Sequence, residues 1–436
     1  MYRRFFVFML TAPILLITFV ASLTMPKTVA GAIDLISTPS VQLGSTIEVS
    51  WFDAEQYLPT VTYNSNLQEF FVVWHSKGTD NGHRRLFATR LNINGEIVSQ
   101  FVIAYSPTAN DRTQASVAYD PINRKYLVVW TEDVNGDGSN WDIYGALVPE
   151  NFVSQTITPF AINEFPTSQW NPQVVYASGP QEFLVVWTNT YSAGTPPAYI
   201  SGRRVLPNGT FPSSSSDLTL FDTVENQVNP TVVYNGIRNE YLVVWEKVGS
   251  EHDVYGLRLT STVNPINSEF AIAGWPGIEE QPSVAYCAGP DQYLVAWQAV
   301  PGGSGYDLYA RVVSGDGIPG QVSAIYSSIV DEKEPSVACD TAGQHYMVTW
   351  QQQYSSLSGP HGIWGRPVNS DMSLGDPLAL VTALPGQVVG QEQPFNAAGG
   401  TGYFVAWQQE IGANVGHGIY GRFIHNSTVY LPFVIQ

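Results

Sequence analysis

A short apolar segment that ends in tryptophan recurs seven times along this chain, and it restricts the possible folds more than any other feature. The copies are Phe70–Trp74, Tyr126–Trp130, Phe183–Trp187, Tyr241–Trp245, Tyr293–Trp297, Tyr346–Trp350 and Tyr403–Trp407. Successive tryptophans lie 52 to 58 residues apart. A nearly constant period of this length is typical of a protein built from repeated structural units.

Each copy has similar neighbours, and together they predict four short β-strands per repeat. A Pro-x-Val segment such as Pro172-Gln173-Val174 precedes most copies, and turn-forming residues separate the two, which indicates a hairpin. A third segment of the type Ile-Tyr-Gly follows, and then a fourth short apolar segment such as 160–162. These segments are rich in β-branched and aromatic residues and show no helical periodicity.

The tryptophan segments are apolar at consecutive positions, and this pattern distinguishes between all-β architectures. A strand has such a sequence when both of its faces are buried, as in a propeller blade covered by its neighbours. Immunoglobulin-like domains need about 100 residues each, and β-solenoid repeats are usually much shorter. The sequence therefore predicts an all-β, seven-bladed β-propeller with four antiparallel strands per blade. The predicted blades span approximately residues 59–110, 111–170, 171–228, 229–280, 281–333, 334–392 and 393–436.

Two segments are candidates for the strand that closes the ring. Residues 45–60 resemble residues 268–283, so the segment 45–51 is a copy of a fourth strand placed ahead of the first full repeat. Residues 429–434 lie at a suitable distance after the last repeat, but Pro432 makes them a poorer inner strand of a sheet. We therefore expect the N-terminal strand 45–51 to complete the last blade.

The N-terminus has the pattern of a signal peptide in residues 1–32. A short basic start precedes the apolar stretch 5–20, and residues 30–32 supply small side chains for a cleavage site. The alternative is an uncleaved anchor, because about 20 apolar residues span a bilayer. We expect cleavage, which leaves 33–436 as one propeller domain without a membrane span, secreted or held at the cell surface.

The charge balance bears on the partners of the protein. The chain has 19 basic and 37 acidic residues, a net charge of −18, and loss of residues 1–32 would make it more negative. Such a protein repels phosphate backbones and anionic membrane surfaces, so nucleic acid is not an expected partner. We expect a monomer.

The two cysteines, Cys287 and Cys339, lie near the ends of equivalent strands in consecutive repeats. An exported protein can form a disulfide, but the two positions are offset by one residue. Equivalent strands of neighbouring blades are also expected to lie too far apart for a bridge, which needs Cα atoms within about 7 Å. We favour two buried free thiols and leave a disulfide open.

The sequence contains one candidate metal loop. Asp133, Asn135 and Asp137 offer oxygen ligands at alternate positions before a glycine, which matches the start of a calcium loop. The closing carboxylate is missing, although Asp142 lies near that position. The alternative is a polar turn rich in Asn, Asp and Gly. Ca²⁺ is the only cofactor that the sequence suggests.

Three histidines precede the third strand of their repeats: His252, His361 and His417. We do not expect them to form a shared metal site, because equivalent positions in different blades lie well beyond the ligand distance of about 2 Å. A polar residue at the start of a strand is the simpler interpretation. Arginines that recur near the third strand, such as Arg311 and Arg366, are expected to bond neighbouring strands or loops.

The loops that follow the repeat tryptophans should emerge on one face of the ring, and this face is the candidate binding surface. Three tryptophans lie outside the core pattern, Trp141, Trp170 and Trp275, and we take them as candidate ligand contacts. The alternative is that these loops only connect strands. The chain has no nucleophile elbow, zinc-protease, phosphate-loop or dinucleotide motif.

The pattern from Trp130 to Gly145, which ends in Asp142-Ile143-Tyr144-Gly145, resembles a repeat found in many exported bacterial propeller proteins. Most of these have no assigned activity, so the resemblance implies a fold and a compartment but no catalytic residue. It covers approximately residues 45–436. The chain lacks the signatures of WD40 blades, and residues 137–141 match the sialidase box only in part.

We therefore expect a non-enzymatic extracytoplasmic binding or scaffold protein with a glycan or protein ligand. One alternative is a propeller-type glycoside hydrolase or lyase with acidic residues at the central channel, where paired carboxylates would lie roughly 5 to 9.5 Å apart. A second alternative is a purely structural repeat protein of the cell surface. Fold analogy alone does not decide between these functions.

Overall fold

The computed structural model describes most of the chain after residue 39. The described residues are 40–50, 55–77, 83–104, 110–153, 156–190, 197–213, 218–219, 225–301, 305–353, 361–382, 390–412 and 416–427. The predicted signal peptide (1–32) and the C-terminal candidate strand (429–434) lie outside them. Within the described part, no helix is long and apolar enough to cross a membrane.

The described residues form 28 strands, numbered here in chain order. The first eight are β1 (Ser40–Glu48), β2 (Glu55–Asn64), β3 (Glu69–Lys77), β4 (Arg84–Asn92), β5 (Ile97–Ala104), β6 (Arg112–Asp120), β7 (Lys125–Asp133) and β8 (Trp141–Pro149). The next ten are β9 (Phe160–Asn163), β10 (Gln169–Ala177), β11 (Glu182–Asn189), β12 (Tyr199–Val205), β13 (Leu218–Thr219), β14 (Asn226–Asn235), β15 (Glu240–Val248), β16 (His252–Thr260), β17 (Phe270–Ala273) and β18 (Glu279–Cys287). The last ten are β19 (Gln292–Ala299), β20 (Asp307–Ser314), β21 (Pro319–Tyr326), β22 (Glu332–Cys339), β23 (His345–Gln353), β24 (His361–Asn369), β25 (Leu378–Val381), β26 (Gln391–Gly399), β27 (Gly402–Gly412) and β28 (Gly416–Ser427).

These strands form seven antiparallel sheets of four, which are the blades of a propeller. In blades 1 to 6 the strand order within each sheet follows the chain, beginning with β2 to β5. The first strand of every blade packs against the first strands of both neighbouring blades, and β26 packs against β2. The seven first strands, which we call the inner strands, therefore surround the axis of a closed ring, as predicted from the sequence.

The second strand of each blade forms the core. The tryptophan segments are buried throughout, and all seven repeat tryptophans are 0% exposed. Apolar side chains on one face of each segment pack against the preceding blade, and those on the other face pack against the next blade. Continuous apolar sequence, which a half-exposed strand would not tolerate, thus results from burial on both faces.

The N-terminal strand β1 completes blade 7, as predicted. It pairs antiparallel with β28, and the strand order in this sheet is β1-β28-β27-β26. The strand spans Ser40–Glu48, so it begins and ends a few residues earlier than the predicted segment 45–51. Because β1 covers the outer edge of β28, the last blade has the same number of strands as the others.

Every inner strand contains a β-bulge at the same place. In β10 the pairing register shifts between Trp170 and Gln173, and Asn171 at the bulge has a φ of +53°. The seven residues in this left-handed conformation are Leu58, Gln114, Asn171, Asn229, Gln281, Glu334 and Gln393. Six of them are followed by proline, which a ladder position would exclude but a bulge accepts.

Arginines in the third strands connect neighbouring blades, as the sequence predicted. The Nη1 atoms of Arg311 and Arg366 donate to the carbonyl oxygens of Ile272 and Ile325, at 2.8 Å and 2.6 Å. Each acceptor belongs to the outer strand of the preceding blade. These charged donors are used in the framework of the ring and do not form an anion-binding ring around the axis.

The cysteine prediction was wrong, because Cys287 and Cys339 form a disulfide with a Cα–Cα distance of 5.5 Å. The two residues end the inner strands β18 and β22, which pack directly against each other. Inner strands of adjacent blades lie closer together than the outer strands, because blades diverge from the axis. The prediction treated all strands of neighbouring blades as equally distant and therefore missed this contact.

Candidate functional site

The candidate site lies around one mouth of the central channel. On this face, which we call the upper face, the inner strands begin, the second strands end and the third strands begin. The channel has a volume of about 530 Å³ and is lined by prolines, valines, hydroxyl residues and amides from all seven inner strands. Among the described residues that line it, Glu334 is the one with a charged side chain.

A ring of side chains borders the upper mouth. Immediately before the left-handed residue of each inner strand lies a position that we call the rim residue. The rim residues are Tyr57, Thr113, Trp170, Val228, Glu280, Lys333 and Glu392. In five blades the rim residue contacts a side chain at the start of the third strand of the preceding blade. The upper face is therefore built from contacts between neighbouring blades.

The structure brings two of the three predicted ligand-contact tryptophans together. Trp141 begins the third strand of blade 2, and Trp170 is the rim residue of blade 3. Their ring centroids are 4.8 Å apart with an interplanar angle of 36°, and both side chains are half-buried. Trp170 directly precedes Asn171, which lines the channel. The pair thus presents an aromatic surface at the edge of the mouth.

Trp275, the third candidate, lies on the same face but apart from this pair. It is 39% exposed, follows the outer strand of blade 4, and packs edge-on against Tyr309 with ring centroids 5.0 Å apart. Its backbone N–H donates to Glu279 at 3.0 Å. Trp275 therefore belongs to the outer part of blades 4 and 5, and it is not among the residues that line the channel.

Each of the three histidines meets a residue of the following blade. His252 Nδ1 lies 3.1 Å from a carboxylate oxygen of Glu246 and 3.7 Å from one of Glu280. His361 Nδ1 lies 3.5 Å from Glu392. The histidines do not gather into one site, but two of them form polar clusters with rim carboxylates.

The third histidine has an aromatic neighbour. The His417 ring lies 5.1 Å from the rim residue Tyr57, and the buried His75 ring lies 5.5 Å from Tyr57 on another side. Burial raises the pKa of Tyr57 to about 12 and lowers the pKa of His75 to about 3. Both groups are therefore neutral at pH 7, and the rim residue of blade 1 lies in an aromatic cluster.

The remaining rim contacts are electrostatic. The Lys333 ammonium lies 4.5 Å from the centre of the Tyr306 ring and 2.7 Å from an oxygen of Asp331. The backbone N–H of Glu334 donates to Gln298 at 2.9 Å. Burial, with a smaller contribution from the charge of Glu280, raises the pKa of Glu334. Blades 4 to 7 thus give the mouth an acidic half, opposite the tryptophan pair.

In the predicted calcium loop, the two Asp133 carboxylate oxygens accept hydrogen bonds from the backbone N–H groups of Gly136 and Gly138, at 3.1 Å and 2.8 Å. Asp137 accepts from the N–H of Ser139. Asp142 accepts from the N–H of Phe165, and burial raises its pKa to about 6. Asn135 donates to the Ser139 hydroxyl at 3.2 Å. Backbone donors thus occupy several of the predicted ligand oxygens, and calcium binding stays a prediction.

Sequence reasoning missed the carboxylates of the acidic half. Glu246 follows a repeat tryptophan, and Glu280 and Glu392 are rim residues whose blade neighbours lie more than 25 residues away in the chain. The repeat alignment contained a usable signal, because rim residues occupy one fixed register before the Pro-x-Val segment. The sequence does not show which third-strand residue of the preceding blade each rim residue contacts, because that depends on the geometry of the bulge.

Comparisons with known proteins support the fold. No protein-family model matches the sequence. No curated protein matches it. Several solved structures are similar in fold. The polysaccharide lyase Uly1 has a TM-score of 0.55 at 9% identity, with coverage of 88% of this chain and 100% of that chain. A protein of unknown function from Dyadobacter fermentans has a TM-score of 0.50 at 11% identity, covering 89% and 100%.

A third similar structure is a puromycin hydrolase, with a TM-score of 0.50 at 11% identity. It covers 86% of this chain, and the match spans 52% of the hydrolase chain. The neighbours have different activities, and the identities to this chain are very low. The likeness therefore supports the fold alone, and it transfers no activity.

Proposed function

We propose that this protein is a non-catalytic binding protein that holds a neutral or amine-bearing carbohydrate at the upper mouth of its channel. The observation that carries the proposal is the Trp141–Trp170 pair beside a channel lined by amide and hydroxyl side chains. Sugars offer C–H faces that pack on aromatic rings and hydroxyl groups that bond to amides. Ligand sites commonly combine an apolar surface with a few fixed polar groups.

The polar groups next to the tryptophan pair are held in place. The Asn171 side chain donates to Asn229 at 2.6 Å, and its backbone N–H donates to Gln114 at 3.1 Å. Side chains that are already fixed lose little conformational freedom when a ligand binds. The site therefore has the pre-organised polar wall that hydroxyl recognition requires.

The charge of the mouth favours one class of sugar. Glu280 and Glu392 lie on one half of the upper face, and the whole chain carries a net charge of −18. An anionic sugar such as a uronate would meet a negative potential as it approached. Neutral sugars, or sugars with an amine, are the better complement.

We also propose that the protein works outside the cytoplasm. The predicted signal peptide motivates this location, and the Cys287–Cys339 disulfide supports it. Structural disulfides form and persist mainly in oxidising compartments. Glycans of a cell surface or of an extracellular matrix would be accessible there.

A glycoside hydrolase is the second candidate, because one pair of carboxylates has the required character. Oxygens of Glu246 and Glu280 lie within 4.8 Å of each other, and burial, together with the charge of Glu280, raises the pKa of Glu246. Glycosidases use two nearby carboxyl groups of different pKa. However, Glu246 is only 4% exposed, which places it below the surface that a sugar would reach.

The binding proposal can be tested by calorimetric titration of the tag-free protein with neutral hexasaccharides of the cello-, xylo-, chito- and malto- series. We expect one series to bind, and we expect Trp141→Ala and Trp170→Ala each to weaken it at least tenfold. The same substitution at Trp275 is the matched control and should leave the affinity unchanged. Binding to none of the four series, or an equal loss in Trp275→Ala, would contradict the proposed site.

The same samples distinguish a binding protein from a glycoside hydrolase. The bound oligosaccharide is incubated with the wild-type protein and analysed for shorter products. Intact oligosaccharide supports a binding protein. If the wild type forms shorter products and the Glu280→Gln variant does not, the protein is a glycoside hydrolase and the binding proposal is wrong.

A further inference from the structure

We propose that Glu246, His252 and Glu280 form a binding site for a divalent transition-metal ion, with Zn²⁺ as its representative, between blades 4 and 5. One atom from each residue, a nitrogen and two carboxylate oxygens, lies within 4.8 Å of the other two. Among the residues that the structure describes, no other group of three or more His, Cys, Asp or Glu has this arrangement. Glu280 also belongs to the acidic half of the mouth, but the metal site does not depend on the carbohydrate proposal.

The distances are suited to a metal between the three side chains. Zinc bonds nitrogen and oxygen ligands at about 2.0–2.2 Å in tetrahedral geometry, which separates neighbouring ligand atoms by roughly 3.3 Å. His252 Nδ1 lies 3.1 Å from Glu246 Oε1 and 3.7 Å from Glu280 Oε2. Small side-chain adjustments would therefore complete the coordination, without movement of the strands.

The carboxylates are oriented by neighbouring amides. Asn229 donates to Oε2 of Glu246 at 2.9 Å, and Oε1 of Glu246 lies 3.1 Å from His252 Nδ1. Gln298 donates to Oε1 of Glu280 at 2.9 Å, and Oε2 of Glu280 lies 3.7 Å from His252 Nδ1. Such supporting hydrogen bonds fix metal ligands in their binding orientation.

The histidine has a ligand atom available. His252 Nδ1 is buried and makes no hydrogen bond within the described part of the chain, although Glu246 is only 3.1 Å away. The distance between His252 Nδ1 and the Glu246 oxygen is that of a hydrogen bond, but the angle is not. A cation shared with the two carboxylates would give this nitrogen a partner.

The local charge also calls for a cation. Among the described residues, the donors in contact with the two carboxylates are neutral apart from His252, and Lys247 is directed away to Glu225 and Glu269. Glu246 is 4% exposed, so its charge is poorly solvated. A divalent ion would compensate the charge of both carboxylates.

Solvent can reach the site from the upper face. The side chains of His252 and Glu280 are 31% and 21% exposed, while Glu246 forms the buried floor. Three protein ligands leave a coordination position for water or another oxygen donor, as in zinc sites with an open position. Nitrogen and carboxylate ligands together suit Zn²⁺ better than Ca²⁺, which takes oxygen ligands.

The propeller contains its own control for this site. His361 and Glu392 occupy the same register between blades 6 and 7, and Gln408 donates to Glu392 as Gln298 donates to Glu280. The position of Glu246 is taken there by Gln351. This second cluster has one carboxylate instead of two, so we expect it to bind the metal much more weakly.

The test is calorimetric titration of ZnCl₂ into the tag-free protein after treatment with EDTA and dialysis, at pH 7. We expect one equivalent of Zn²⁺ to bind the wild type, and at least a tenfold loss in His252→Ala and in Glu280→Gln. His361→Ala and Glu392→Gln should bind as the wild type does. Zn²⁺ should also raise the thermal midpoint of the wild type but not that of the first two variants.

Thermal melts without metal verify that all four variants are folded. A loss of Zn²⁺ binding in a folded variant can then be assigned to the substituted side chain. Absence of stoichiometric Zn²⁺ binding to the wild type would overturn the proposal. Equal losses in the variants of the two clusters would also overturn it. Replacement of Zn²⁺ by Co²⁺ should give the visible absorption of a low-coordinate site in the wild type, and no such band in Glu280→Gln.

Discussion

At the scale of single residues, the ring buries polar side chains at one repeated position of its inner strands. Two of these are carboxyl groups, Glu279 and Glu332, which are 1% and 0% exposed. Burial, followed by neighbouring negative charges, raises the pKa of each to about 7. Glu332 Oε1 accepts from the Ser328 hydroxyl and from Gln352. The fold thus favours the protonated form of these groups.

We predict that Glu332→Gln stabilises the protein at alkaline pH. The folded-state pKa of about 7 lies above the ordinary value, so stability falls as pH rises from about 4.5 to 7 and stays lower above it, by about 3 kcal/mol. A neutral amide removes this loss. Denaturation curves should show a gain at pH 8 and little change at pH 5. The exposed Glu96, changed to Gln, is the control, and a gain of equal size at both pH values would refute the assignment.

The residues also show what the sequence could predict about the site. The repeat tryptophans were predicted correctly because each performs the same role in every blade. The bridging arginines were predicted correctly because they recur at one register of several third strands. The cluster of Glu246, His252 and Glu280 was not predicted, because it exists in one pair of blades only and joins residues of two repeats. A periodic pattern describes what the blades share, and the candidate sites depend on where they differ.

At the scale of the strands, the β-bulge is the element that positions the rim. It places the rim residue and the left-handed residue after it at the channel mouth in every blade. The backbone N–H of the left-handed residue often donates to a side chain of the preceding blade, as Leu58 does to Gln408 at 3.0 Å. The sequence predicted the inner strand, and it shows the proline in that strand. The extra residue of the bulge, however, is visible only in the pairing register of the sheet.

The bulge leads to a prediction for Leu58. Six of the seven left-handed residues are Asn, Gln or Glu, and Leu58, with a φ of +50°, is the exception. Asn accepts this conformation more readily than Leu. We therefore expect Leu58→Asn to stabilise the protein by about 1 kcal/mol and Asn171→Leu to destabilise it by at least as much. Chemical denaturation measures both, and changes of the same sign would disprove the strain argument.

At the scale of the whole molecule, two contacts reinforce a ring whose neighbouring blades already pack against each other. The β1–β28 pairing completes blade 7, and the disulfide joins the ends of the inner strands of blades 5 and 6. The ring, its blade number and its closing strand followed from the repeat pattern. The disulfide could not be predicted in this way, because the distance between neighbouring blades depends on how far a residue lies from the axis of the ring.

We predict that removal of the disulfide lowers the stability of the ring. Cys287→Ala combined with Cys339→Ala should cost about 2–4 kcal/mol, because the bridge restricts the unfolded chain. Calorimetry should show a lower thermal midpoint for the double variant. The wild type in reducing buffer should melt at a similarly low temperature, and the variant should not respond to the reductant. A wild-type midpoint that reductant leaves unchanged would contradict the prediction.

The pairing of β1 with β28 also decides how the ring responds to force. Ser40 lies opposite Ser427, and Glu48 lies opposite Tyr420, so the chain enters and leaves blade 7 at the same corner. Tension between the two flanking segments acts on one backbone pair after another, in an unzipping direction, instead of loading all of them together in shear. The seam that closes the propeller is therefore also the place where a pull on both ends opens it first.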